Sequence, residues 1–226
     1  MDVHKPKPVH NWREFLVEIG IIVIGVTIAL VGEQIVEAIH WHNVVGAQRE
    51  ILKSVVEDNL ASVKARAVQQ ECVDARLAQL KTVFERHAAG EALKMKGPVG
   101  RPQNNSVGNE IWDLALRSEA LNHMPLEERA DFAGAFSNFA NLLALRDDAD
   151  RSWVDLAALD NPELLEDGDW VLLRQAYAQL IAKEARIKAV DAYVLQTQTA
   201  GVPVPKVTLK EALVAGYAKN FCKPLI

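Results

Sequence analysis

Glycine and proline are scarce in this chain, 12 and 9 of 226 residues, and they gather in a few places. Alanine, leucine, valine, glutamate, lysine and arginine dominate instead, the composition of long helices. Basic residues are outnumbered, 25 Lys and Arg against 30 Asp and Glu, for a formal charge of -5. No basic stripe exists to neutralise phosphates, so nucleic acid is not an expected partner. The chain also has no glycine-rich phosphate loop, no G-x-S-x-G elbow, no Cys-x-x-Cys and no His-Glu-x-x-His pair. It reads as a non-enzymatic protein with no cofactor and no metal.

Only two cysteines occur, Cys72 and Cys222. In an oxidising compartment such as a periplasm they can pair. Their separation of 150 positions carries no geometric information, however, and two unpaired core cysteines are the favoured expectation.

One long hydrophobic run stands out. From Phe15 to Gly32 the chain reads FLVEIGIIVIGVTIALVG, interrupted only by Glu18. As a helix it measures about 27 Å, close to the ~30 Å hydrocarbon thickness of a bilayer. Trp12 and Trp41 flank it, about 43 Å apart along the helix, a span that places both indoles at the headgroup layers. Lys5, Lys7 and Arg13 precede the run, whereas no Lys or Arg follows until Arg49, and Glu33 and Glu37 occupy the near side. The positive-inside rule then predicts a cytoplasmic tail over 1–14, a transmembrane helix over 15–36 and an extracytoplasmic domain over 37–226. For a bacterial inner membrane that domain is periplasmic. A cleaved signal peptide is the competing reading, but no small-x-small site closes the run and the helical pattern continues through GEQIVEAIHW.

Beyond the bilayer all elements read as helices. Asn11 and Glu14 form a capping box before the run, and the first helix is expected to continue to about Ala89, with Gly46 its one candidate hinge. Its buried stripe is Leu52, Val56, Leu60, Val63, Ala67, Leu77, Leu80 and Phe84. A loop over 96–108 follows, then a short helix carrying Ile111, Trp112, Leu114 and Leu116. Pro125 opens a third helix, to about Leu159, with an aromatic stripe of Phe132, Phe136, Phe139 and Leu143. The EDGD run at 166–169 reads as a turn. A fourth helix holds Leu173, Tyr177, Leu180, Ile187, Val190 and Val194 on one face, and Thr208 with Glu211 caps a last short one. The predicted fold is all-α: a transmembrane helix continuous with a long helix, then an antiparallel helical bundle.

The stretch NWREFLVEIGIIVIGVTIALVGEQIVE resembles the N-terminal signature of bacterial single-pass proteins grouped as a domain of unknown function. In that group a polar tail leads into E-I-G-I-I-V-I-G-V-x-I-A-L, and the later IWDLALRSEALNHMPLEERADFA is similar to their second shared block. The resemblance implies a membrane-anchored helical topology and assigns no activity.

Within the apolar run Glu18, Gly25 and Gly32 are seven apart, with Ala29 between the glycines, so a carboxyl and three small residues share one side. Small residues let helix backbones approach, and Gly25-x-x-x-Ala29 is the small-x-x-x-small pattern of associating membrane helices. This face predicts a homo-oligomer or a membrane-protein partner, while Glu18 lies near enough to the cytoplasmic end to snorkel. His40 and His42 are two apart and point to different sides of a helix, so they read as interfacial residues rather than ligands; His87 and His123 are isolated. Glu127-Glu128 and Asp147-Asp148 read as solvated helix surface. Function is expected to be that of a membrane-anchored scaffold or accessory subunit. The alternative is a periplasmic ligand sensor signalling along the first helix, with Trp112, Trp153 and the Phe132 to Phe139 stripe lining a pocket.

Overall fold

The computed structural model describes residues 11–214 and 218–226; Lys5 and Lys7 of the tail lie outside the described residues. Among the described residues every regular element is helical. Helix α1 spans Trp12–Ala67, α2 Gln70–Ala88, α3 Glu110–Ala115, α4 Leu126–Leu156, α5 Asp167–Thr197 and α6 Leu209–Ala212, with short 3-10 turns at Glu119–Asn122, Ala157–Asp160 and Pro162–Leu164. The all-α class predicted from the sequence is the class observed. The chain divides into two compact units, Met1–Gln48 and Arg49–Ile226.

The first unit is the N-terminal part of α1. It holds one stretch long and apolar enough to cross a bilayer, and the rest of the chain buries none of it. Thr27, its one hydroxyl, donates to the carbonyl of Val23 at 2.7 Å, so the helix satisfies its own polar side chain.

In the second unit the expected single helix to Ala89 is interrupted at 68–69, not at Gly46, through which α1 runs unbroken. At the interruption the Gln69 amide N–H bonds the carbonyl of Arg66 at 3.1 Å, a tightened turn. The cause is tertiary. The fully buried side chain of Gln69 donates to the carbonyl of Gln103 at 3.0 Å and accepts from its N–H at 2.8 Å. Ten residues earlier Asn59 makes the same reciprocal pair with Gly108, at 2.9 and 2.8 Å. Two buried carboxamides thus satisfy the backbone of Gln103 and Gly108 in the loop that the sequence places at 96–108, where neither a helix nor a strand ladder runs.

Helices α4 and α5 run antiparallel: Trp153 faces Glu184 and Arg146 faces Asp191, so residue numbers rise on one as they fall on the other. Leu52, Val56, Leu60 and Val63 of α1 are fully buried, as are Phe136 and Phe139 of α4. Each such side chain contributes about 1.5–3 kcal/mol of transfer free energy. Trp112 of α3 stacks on Phe136 with centroids 5.3 Å apart. The aromatic stripe continues to Leu142, fully buried, rather than to the exposed Leu143, because it advances by three residues after Phe139. Leu114 and Leu116 of the short-helix region are also exposed. The EDGD run is no turn. Asp169 accepts from the backbone N–H of Glu166 at 2.9 Å, so these residues build the first turn of α5.

Cys72 and Cys222 are joined by a disulfide, with Cα atoms 4.8 Å apart. The favoured reading of two unpaired core cysteines is therefore corrected, as is their burial: Cys72 is half-buried and Cys222 exposed. The bridge ties the C-terminal segment to α2 beside further contacts. Buried Arg76 donates to the carbonyls of Phe221 and Lys223 at 2.7 and 2.9 Å, and Lys96 donates its N–H to Leu225 at 2.8 Å. Phe221 meets Trp153 edge-on at 5.5 Å.

Candidate membrane-helix face and buried charge network

On α1, Glu18, Gly25, Ala29 and Gly32 are all exposed and fall within roughly 60° of one another around the helix at 100° per residue. A methyl group built on Gly25 or Gly32 would meet nothing within 4 Å, so no contact inside the chain requires glycine there. Trp12 is 72% exposed, and Trp41 bonds the Glu37 carboxylate one turn back at 3.4 Å. The structure of the single chain thus leaves this face open.

The bundle holds the opposite arrangement. Arg66 of α1 donates to Glu184 of α5, whose other carboxylate oxygen accepts from the Trp153 indole N–H at 2.8 Å. Arg146 of α4 donates to Asp191 of α5 at 2.8 Å. All four charged side chains are at most 2% exposed. Burial pushes the Asp191 carboxyl up against the pull of Arg146 and Arg66, and pushes the Arg146 guanidinium down against the pull of Asp191. Two guanidiniums and two carboxylates keep the group neutral, which is the condition for burying them at all. Nε and Nη1 of both arginines and one Asp191 oxygen have no protein partner, so the network has spare donors on its arginine side.

These four residues were missed by the sequence reading, although a signal exists. Glu184 and Asp191 occupy stripe positions of α5, between Leu180, Ile187 and Val194, and Arg146 extends the α4 stripe past Leu142 toward Ala149 and Trp153. An acid on one buried stripe and a guanidinium on another predict a buried pair.

Of the two acid pairs read as solvated surface, Glu127 and Asp147 are exposed as expected, and the second member of each pair makes ion pairs. Glu128 is half-buried and takes both an Nε bond and a 2.9 Å Nη2 bond from Arg49, which holds its carboxyl below the usual glutamate range. Asp148 pairs with Lys183 at 3.0 Å and Arg151 at 3.1 Å, which lower its carboxyl. Among the described residues no group of three or more His, Cys, Asp or Glu side chains is placed to hold a metal. Trp153, Phe132, Phe136 and Phe139 are buried, with Phe136 against Phe139 and Trp153 against Phe221.

The fold and the open apolar face define a helical protein with one membrane-length helix. No family model, no curated protein and no solved structure matches the chain.

Proposed function

We propose that this is a non-enzymatic, single-pass protein of a bacterial inner membrane, with residues 1–14 cytoplasmic, 15–36 spanning the bilayer and 37–226 in the periplasm. It acts as a scaffold or accessory subunit. The observation that carries the reading is the apolar stretch of α1, none of which is buried by its own chain: in water such a helix face is untenable, and a bilayer is the solvent that fits its length. The Cys72–Cys222 bridge supports an oxidising compartment for the bundle, and the excess of basic residues before the span supports the orientation. The resemblance of the N-terminal motif to single-pass bacterial proteins agrees with both. Glu18, Gly25, Ala29 and Gly32 form the association face toward a second copy or another membrane protein, and Trp12 and Trp41 set the depth.

The test is extraction from the native membrane in mild detergent, followed by native mass determination of the wild type and Gly25→Leu. A homo-oligomer or a stoichiometric heteromer that the substitution dissociates supports the reading. A mass unchanged by Gly25→Leu removes the association face, and recovery of the chain in the soluble fraction removes the anchor.

A further inference from the structure

Between the C-terminal end of α4 and the first half of α5 lies an open groove of about 440 Å³. Its walls are mixed: Ala158, Leu165, Leu172 and Ala176 give the apolar part, Gln175 and Gln179 a neutral polar part, and two carboxylates, Asp155 and Asp169, complete the lining. Leu172 in the groove is 64% exposed, and Leu164, adjacent in sequence to the lining residue Leu165, is 76% exposed. Charge here has one sign. From Ser152 to Leu173 the chain carries six acids and no Lys, Arg or His. Three of them are engaged within the fold: Asp160 accepts from Val99 N–H at 2.6 Å, and Asp169 and Glu166 form the reciprocal capping box at the start of α5. Among the described residues the salt bridges of Arg151 and Lys183 go to Asp148 and none engages Asp155. Arg174 sits roughly 160° round α5 from Leu172.

We propose that this groove is a docking site for an amphipathic helix of a partner protein, one that presents a leucine-type face flanked by lysine or arginine. Two antiparallel helices form a trough into which a third helix packs by ridges and grooves. The leucines supply the buried area. The acidic margin selects a basic occupant, because it repels an acidic one and speeds encounter with a basic one. This inference concerns the bundle alone and does not rest on the membrane-helix face.

A direct test uses the full chain in nanodiscs of zwitterionic lipid, with a photoreactive amino acid at Leu172 or, as control, at the exposed Leu126 at the start of α4. Two synthetic amphipathic helices of matched leucine content are offered, one with lysine and one with glutamate on the polar face. Crosslinking of the lysine helix at position 172, at least tenfold above the control position and above the glutamate helix, and several-fold weaker in Asp155→Asn, supports the proposal. Equal yields at 172 and 126, or indifference to peptide charge, overturn it. So does crosslinking at 172 to a second copy of the chain in place of the peptide, which would make the groove a self-association surface.

Discussion

The apolar stretch of α1 and the bundle interior invert each other's chemistry. Isoleucines and valines on the first are exposed, whereas two arginines, a glutamate and an aspartate in the second are almost wholly buried. Hydrophobic-inside is therefore no property of this chain as a whole; it holds only relative to the solvent each part meets. Where the surroundings are apolar, side chains without polar groups can stay uncovered. Where they are aqueous, the interior holds charge in hydrogen-bonded settings, the two arginine–carboxylate pairs as a neutral set and Arg76 against the backbone carbonyls of Phe221 and Lys223.

Breaking the buried set should have the largest effect. Arg146→Met leaves the buried Asp191 carboxyl without its partner, and is expected to cost about 3–5 kcal/mol of bundle stability by denaturant unfolding. Arg146→Met combined with Asp191→Leu should recover most of that loss, since the desolvation of both ions disappears together. A double variant as unstable as the single one would show that the pair holds the helices in register rather than merely tolerating burial.

Opening the disulfide comes next. Cys72→Ala with Cys222→Ala releases a constraint on a very long loop and is expected to cost about 2–5 kcal/mol, read as a lower unfolding midpoint. Lys96 and Phe221 should then lose hydrogen-exchange protection before the α4 and α5 helices do. Uniform loss across the bundle would mean that the C-terminal segment is not a separable strap.

Exposed charge sharpens the contrast from the other side. Glu128→Gln weakens a partly buried pair with Arg49 and should cost about 1 kcal/mol at neutral pH. Because Arg49 lowers the folded carboxyl below its unfolded value, this contribution is full above the ordinary glutamate range and is lost as pH falls through the lowered folded value. Wild type and variant should therefore converge in stability in acid. Persistence of the difference after protonation would assign it to packing instead.

The smallest effect on the bundle is expected from Gly25→Leu. Its position has open space around it, so thermal unfolding of the bundle should shift by less than about 0.5 kcal/mol while association in detergent weakens. A destabilised bundle would mean that the apolar stretch contributes to folding.

Much of the architecture was legible along the chain because it rests on local signals. The apolar run, the stripe of Leu52 to Val63, the Pro125 start and the Thr208 to Glu211 cap each depend on residues a few positions apart. The cap forms as read, with Thr208 N–H donating to Glu211 at 2.8 Å. The interruption at 68–69 was not legible, because the residue that fixes it, Gln69, is paired with a loop 34 positions away. Nor was the choice of Leu142 over Leu143, which depends on what α4 packs against.

Local sequence alone set the elements: an apolar helix long enough to cross a bilayer, amphipathic helices after it, and few breakers between. Periodicity and run length suffice for that, since both act within a turn or two of helix. Tertiary structure alone decided which of the stripe charges pair with one another and which cysteine sulfurs meet. Arg66 reaches Glu184 across 118 positions and Cys72 reaches Cys222 across 150. Such pairings are set by how helix faces dock in space, and linear spacing carries no record of that docking.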